Sequence, residues 1–290
     1  EAKWFGLKPS PNPYSKLSMK SLRLLFVLLS LSFGAFGQNG LPPDAGGRSA
    51  GMAGADVIFQ DIFSLFSNQA GLAFVENLSV GILGEQRYLL PELQTVAAGM
   101  ALPTKAGTFG LQLGYFGFTD YNEQKIGLAY ARKLSKKLAI GAQFDVLNTR
   151  ITESGSLTLL TFELGAIMQI SDQLRAGVHL FSPARIAVFE DEFLPTRISA
   201  GLGYQPAPEV LLAVELEQQL DGFFRLKGGI DYQIIDILSL RIGGATNPAL
   251  GSFGLGLDIQ EKIRIDFATQ YHLTLGWTPA LGLSYSASKS

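Results

Sequence analysis

The sequence predicts an all-β fold: a transmembrane antiparallel β-barrel of about fourteen strands, with a short N-terminal plug that contains a helix. Three observations predict it. From Asn77 onward, segments of about ten residues alternate apolar with small or polar side chains, the period that puts neighbours on opposite faces of a strand. Short turns and longer loops alternate between these segments. The composition is apolar and poor in charge: 47% hydrophobic and 17% charged residues, mean hydropathy +0.22, and 33 glycines among 290 residues.

The same composition excludes several classes of function. There is no cysteine, so disulfide frameworks, zinc–thiolate sites and thiol chemistry are absent. A formal net charge of −2, without a long basic run, leaves no electrostatic footprint for nucleic acid.

One continuous apolar stretch occurs, at residues 24–33. It follows the basic pair Lys20 and Arg23 and precedes Ala35-Phe36-Gly37, the small-x-small order of a cleavage site. About ten apolar residues are too few to cross a bilayer, which takes roughly 20. Residues 19–37 therefore read as a secretory signal peptide, and residues 1–18 as an upstream extension. No cysteine follows the apolar stretch to carry a lipid anchor, and no later run is long enough for a membrane helix. Residues 38–76 read as the plug and residues 77–290 as the barrel.

Strand by strand, the barrel reading rests on side-chain parity. In residues 138–146 one face holds Leu138, Ile140, Ala142, Phe144 and Val146, and the other Ala139, Gly141, Gln143 and Asp145. In residues 263–267 Arg264 and Asp266 share the polar face, and Phe267 takes the other. Leu255 alternates the same way with Gly254 and Gly256. Tyr130, Tyr204, Tyr232 and Tyr285 sit near short turns or the C-terminus, and Tyr88, Tyr115 and Tyr271 near longer loops, as two interfacial girdles would. A secreted sandwich or lipocalin-like barrel would alternate too, but would carry more charge on its outer face.

The polar face gathers the mid-strand charges. Six are acidic: Glu163, Glu215, Glu217, Asp231, Asp258 and Asp266. Six are basic: Arg175, Arg197, Arg225, Lys227, Arg241 and Arg264. His179 and His272 share that face. Balanced charge among many glycines reads as ion pairs filling a narrow interior, in preference to a conduction path with a one-signed constriction. Nothing points to catalysis: the two histidines have no triad partners, no metal-ligand spacing occurs, and no cofactor is implied.

The plug begins with a Gly-rich run, followed by residues 56–66, read as a short helix with Ile62, Phe63, Leu65 and Phe66 on one face. Arg48 is the basic residue of the run and is expected to pin the plug by pairing with a lumen carboxylate such as Glu163 or Asp266.

Here the chain resembles a known family. Gly47-Arg48-Ser49-Ala50-Gly51-Met52-Ala53-Gly54-Ala55, followed by Asn68-Gln69-Ala70-Gly71-Leu72, is similar to the N-terminal signature of the PorV/PorQ family of FadL-type outer-membrane barrels. The signature residues are Gly47, Arg48, Gly51, Met52, Gly54, Asn68 and Gly71. The chain departs from it at Ala53, where the family has glycine, and at Gln69, where it has proline. The resemblance implies an outer-membrane barrel in contact with lipid. It also implies a non-enzymatic accessory of protein secretion or surface attachment, of the type IX kind. Such an accessory would bind secretion-machinery proteins through loop 182–195, with Ile186, Val188, Phe189 and Phe193 exposed. The alternative implied is a FadL-like transporter that passes a hydrophobic small molecule through a lateral opening.

The mature protein is expected to begin at Gln38. Intact mass checks this, and a mature chain that retains residues 24–33 would refute it.

Overall fold

The computed structural model describes residues 46–189, 192–220, 222, 224–260 and 262–287. The expected extension, the signal peptide and residues 38–45 of the plug lie outside the described residues.

Among the described residues, sixteen strands follow one α-helix, α1 (Gly46–Gly51): β1 Ser79–Gln86, β2 Gln94–Thr104, β3 Gly107–Gly117, β4 Tyr121–Lys133, β5 Leu138–Ile151, β6 Gly155–Gln169, β7 Leu174–Phe181, β8 Ala187–Phe189, β9 Glu192–Phe193, β10 Arg197–Ala207, β11 Val210–Gln219, β12 Phe224–Ile235, β13 Leu238–Ala245, β14 Leu250–Ile259, β15 Ile263–His272 and β16 Gly276–Ser286. Fourteen of them form one closed antiparallel barrel in chain order. β8 and β9 pair with each other inside the loop between β7 and β10. Closure is made by β1 on β16, from Ser79↔Ser286 to Glu85↔Ala280.

The barrel is apolar outside and polar inside. Phe144, Leu255 and Phe267 are exposed on the outer face, while Gln143 and Asp266 are buried inside. Along β12 the outer residues Phe224, Leu226, Ile230, Tyr232 and Ile234 form an unbroken apolar row. Such a face is stable only in lipid, where closure leaves no strand edge unpaired. Tyr130, Tyr204, Tyr232 and Tyr285 are exposed on the outer face at the short-turn end.

At the other end the girdle differs from expectation. Tyr271 is exposed and stacks on Trp277, ring centroids 4.7 Å apart. Tyr88 lies in a loop with φ 56°, its backbone N–H donating to Thr278 Oγ1 and its ring set edge-on to His272. It therefore faces the mouth, not lipid.

The N-terminal segment lies inside the closed sheet, joined to β1 by residues 75–78. The helix expected over residues 56–66 is absent, and the helix instead occupies the Gly-rich run as α1. Only Ile62–Phe66 and Gln69–Phe74 coil further, as 3₁₀ turns. The reason is local capture. A wall carboxylate, Glu215, accepts from the backbone of Asp56 and Val57. Asp61 and Asn68 then cap the two turns by accepting from Phe63 and Ala70 N–H.

An arginine on the outer face near mid-strand is expected to be costly. Phe267→Arg should lose about 2–4 kcal/mol of barrel stability. Asp258→Asn, in a half-exposed ion pair, should lose less than about 1 kcal/mol. Urea titration followed by heat-modifiable gel mobility checks both.

Candidate functional site

The candidate site is the lumen with its inserted segment. On the β1–β4 side the contact is apolar. Ile62, Phe63, Leu65, Phe66 and Leu72 pack on Leu83, Ala97, Ala101, Ala129 and Ala131. A second apolar contact sets Met52, Ala55, Val57, Ile58 and Phe59 against Leu211 and Ala213 on β11. Between these apolar contacts the segment meets the wall through charged groups at three places.

The first is built on α1. Arg48 donates from Nη1 to Asp61 Oδ2 at 2.7 Å and from Nε to Asp231 Oδ2 at 3.0 Å, and its guanidinium lies 4.3 Å from the Phe59 ring centre. Arg48 therefore does pair with a wall carboxylate, but with Asp231 and not with Glu163 or Asp266. Cross-strand register decides this, because Asp231 on β12 stands opposite Arg241 on β13. Arg241 in turn faces Asp231 at 3.1 Å and Asp266 at 2.7 Å, as ion pairs off the angle of a hydrogen bond. Arg264 completes the chain to Asp266 and Asp258. Burial works against the charge on Arg48, but Asp231 and Asp61 outweigh it and hold the guanidinium above its ordinary pKa.

The second is centred on Glu163. It pairs with Lys125, lies 2.8 Å from His179 Nε2, and accepts from Gln69 Nε2 at 2.7 Å. Lys125 also faces Asp145 at 3.5 Å, and Gln143 donates to Gln112 and Asp145. Gln69, which stands where the resembled family has proline, thus ties the segment to the wall. The third is Glu215, which accepts two backbone N–H groups at 2.9 Å while Lys227 donates to both Glu215 and Glu217.

Close approach explains the signature glycines. A Cβ on Gly71 would lie 2.2 Å from the Phe59 carbonyl oxygen, and one on Gly47 would lie 2.3 Å from that of Asp266. The wall answers in kind: Gly141 and Gly177 lie where a Cβ would strike the backbone of Ala70 and Val57. Gly51 meets Gly254, Gly54 takes φ 79°, and Met52 is buried against Gly229 and Gly243. Asn68 is buried and donates to the carbonyls of Val57 and Ala166. Every signature residue except Arg48 is fully buried, and Arg48 is only partly exposed.

The remaining charges spread along the lumen. Arg175 donates to Gln60, Arg197 lies over the Phe181 ring, and Arg225 lines a recess of about 170 Å³ at the long-loop mouth with Arg87, Tyr88 and His272. A second recess, of about 220 Å³, opens at the short-turn mouth beside Asp61, Asp258 and Arg264. A gap of about 40 Å³ lies between the Glu163 and Glu215 groups. Among the described residues, no acidic or histidine cluster is placed to hold a metal ion.

Loop 182–195 corrects an expectation. Ile186 and Val188 are not presented outward. They pack inward on Leu147, Leu159, Phe181 and Leu194, forming an apolar lining beneath the β8–β9 hairpin. Phe193 is exposed, with Arg185 stacked on it at 4.4 Å, and the Phe189 side chain lies outside the described residues. The β2–β3 and β3–β4 registers run without a shift from turn to loop, whereas β7 pairs only with Glu163–Gln169 of β6 and the loop half of β6 borders loop 182–195 instead. Sequence reading passed over Lys125, Asp145, Asp61 and Gln69 as site residues. Parity with Ile126 would have placed Lys125 inside, as parity with Phe144 already places Asp145 on the polar face.

No protein-family profile matches the sequence, and no curated protein matches it. Solved structures do. The Ralstonia pickettii toluene transporter TbuX matches with TM-score 0.67 at 12% identity, over 85% of this chain and 99% of that one. The Pseudomonas putida toluene transporter TodX matches with TM-score 0.65 at 12% identity, over 86% and 100%. A Pseudomonas aeruginosa FadL homologue matches with TM-score 0.61 at 12% identity, over 85% and 99%. The fold is that of FadL-like outer-membrane barrels. At these identities the likeness is one of fold, and the PorV/PorQ branch finds no separate support in it.

Two variants test the seating of the segment. Arg48→Ala removes the ties to Asp61 and Asp231, leaving Asp231 with Arg241, and should loosen the segment by about 1.5–3 kcal/mol, read as flickering conductance in planar bilayers. Gly71→Val should cost about 1–3 kcal/mol by overpacking, read as faster proteolysis of residues 46–74.

Proposed function

We propose that this chain is an outer-membrane barrel that passes hydrophobic small molecules, with residues 46–74 as the movable filling of its lumen. The observation that carries the reading is the fold correspondence over nearly the whole length of transporters titled for toluene. Two features agree with it. The long-loop mouth carries an apolar lining beneath the β8–β9 hairpin, where a hydrophobic molecule would first lodge. Farther along the wall, an apolar recess of about 470 Å³ around Gly84 and Ala98 lies on the outer face. Leu83 and Ala97, which help to line it, also touch the apolar side of the inserted segment. Passage along the lumen requires the inserted segment to shift.

The secretion-accessory reading draws on the N-terminal signature. Those residues are consumed in contacts within the barrel, and two of the four loop residues assigned to a partner turn inward. Little of either feature is left to present to a protein.

Cells lacking their own barrels of this fold, and expressing this chain, are expected to take up labelled toluene faster than cells with empty vector. A correctly folded barrel that gives no acceleration overturns the reading. Stoichiometric copurification of a secretion protein in mild detergent would favour the accessory role instead.

A further inference from the structure

The two sides of the long-loop rim differ in chemistry. On the β4–β6 side the outer apolar row Ile126–Val146–Leu160 is followed one step toward the loops by Gln124, Asn148 and Thr158, paired across the three strands. Arg150 and Ser156 follow, both exposed. The apolar belt on this side ends well short of the β5–β6 hairpin tip, which stands in water.

On the β15–β16–β1 side the apolar row continues to the loop after one mixed pair. Phe267 and Leu281 are followed by Thr269 and Pro279, then by Tyr271 and Trp277, and then by the turn itself, where Leu273 is 74% exposed and Leu275 is 52% exposed. The neighbouring loop 87–93 adds Leu89 and Leu90, both exposed. Loop 87–93 is tied to the ends of β15 and β16 through Tyr88, which bonds Thr278 and meets the His272 ring. Tyr88 and Leu89 both adopt positive φ, 56° and 59°, a conformation non-glycine residues avoid. That strain turns Tyr88 into the mouth and leaves Leu89 and Leu90 outside.

Four leucines at loop tips would be a costly patch in water. They are continuous with a lipid-facing row and lie just beyond a Tyr–Trp pair of the kind that marks a membrane interface. We propose that loops 87–93 and 273–275 are immersed in the membrane and that their occupant is the lipid leaflet itself. The barrel then sits unevenly, with its β15–β2 rim in lipid and its β4–β6 rim in water. This rests on the barrel's membrane setting and not on what it transports.

Tryptophan occurs at Trp4 and Trp277 only, so both can be replaced by Phe to give a silent background. In that background Leu273→Trp, or Leu275→Trp should the first fail to fold, is compared with Ser156→Trp. Each is reconstituted in phosphatidylcholine vesicles with plain or chain-brominated lipid, and folding is confirmed by heat-modifiable mobility. The turn variant is expected to show blue-shifted emission, loss of most intensity in brominated lipid and little loss to aqueous iodide. Ser156→Trp is expected to show the reverse. Equal iodide quenching at both sites would overturn the proposal. So would a turn variant shielded from iodide yet untouched by brominated lipid, since a second copy or another protein would then be covering the leucines.

Discussion

In hydrocarbon no backbone amide can be left without a partner, and everything else here follows from that constraint. It forces β1 to meet β16 and the sheet to close. A closed sheet of fourteen strands is too wide for its own side chains to fill, and small enough that a short segment can fill it. The lumen is therefore occupied by residues 46–74 of the chain itself, and the hydrophobic effect, which usually gathers a core, acts instead on the outer face and on two inner flanks.

Filling a polar lumen with backbone creates an electrostatic problem that three carboxylates answer. Glu215 receives two amides, Asp231 receives Arg48, and Glu163 receives Gln69. Each carboxylate also faces a wall cation, Lys227, Arg241 or Lys125. The wall charges are balanced before the segment arrives, so seating it adds hydrogen bonds without burying uncompensated charge. Apolar packing against β1–β4 supplies the non-directional part of the hold.

Strand parity was the most legible property of the chain. Phe144 against Gln143, and Phe267 against Asp266, could be assigned to opposite faces because a strand's period is two and one face must meet lipid. What failed in the reading depended on contacts distant in sequence. Residues 56–66 read as one helix, yet Glu215 holds the amides of Asp56 and Val57 from more than 150 residues away. Arg48 offered several carboxylates, and only cross-strand register places Asp231 before it. Ile186 and Val188 were judged exposed because they lie in a loop. Their spacing of two, within what proves to be a hairpin edge, was the available sign that they share an inward face. Gln69 looked like a lost proline and is a new tie to the wall.

The link between Phe74 and Ser79 is only residues 75–78, anchored at one end in the first strand of the wall. A filling that leaves its seat therefore remains on a short leash. Its return is an intramolecular event, at the effective concentration of a tethered ligand, roughly millimolar or above. Under the proposed transport role, no second component is needed to shut the barrel behind a passing molecule. The open time is then set by how long the vacant seat is contested, which makes the passenger itself the timer.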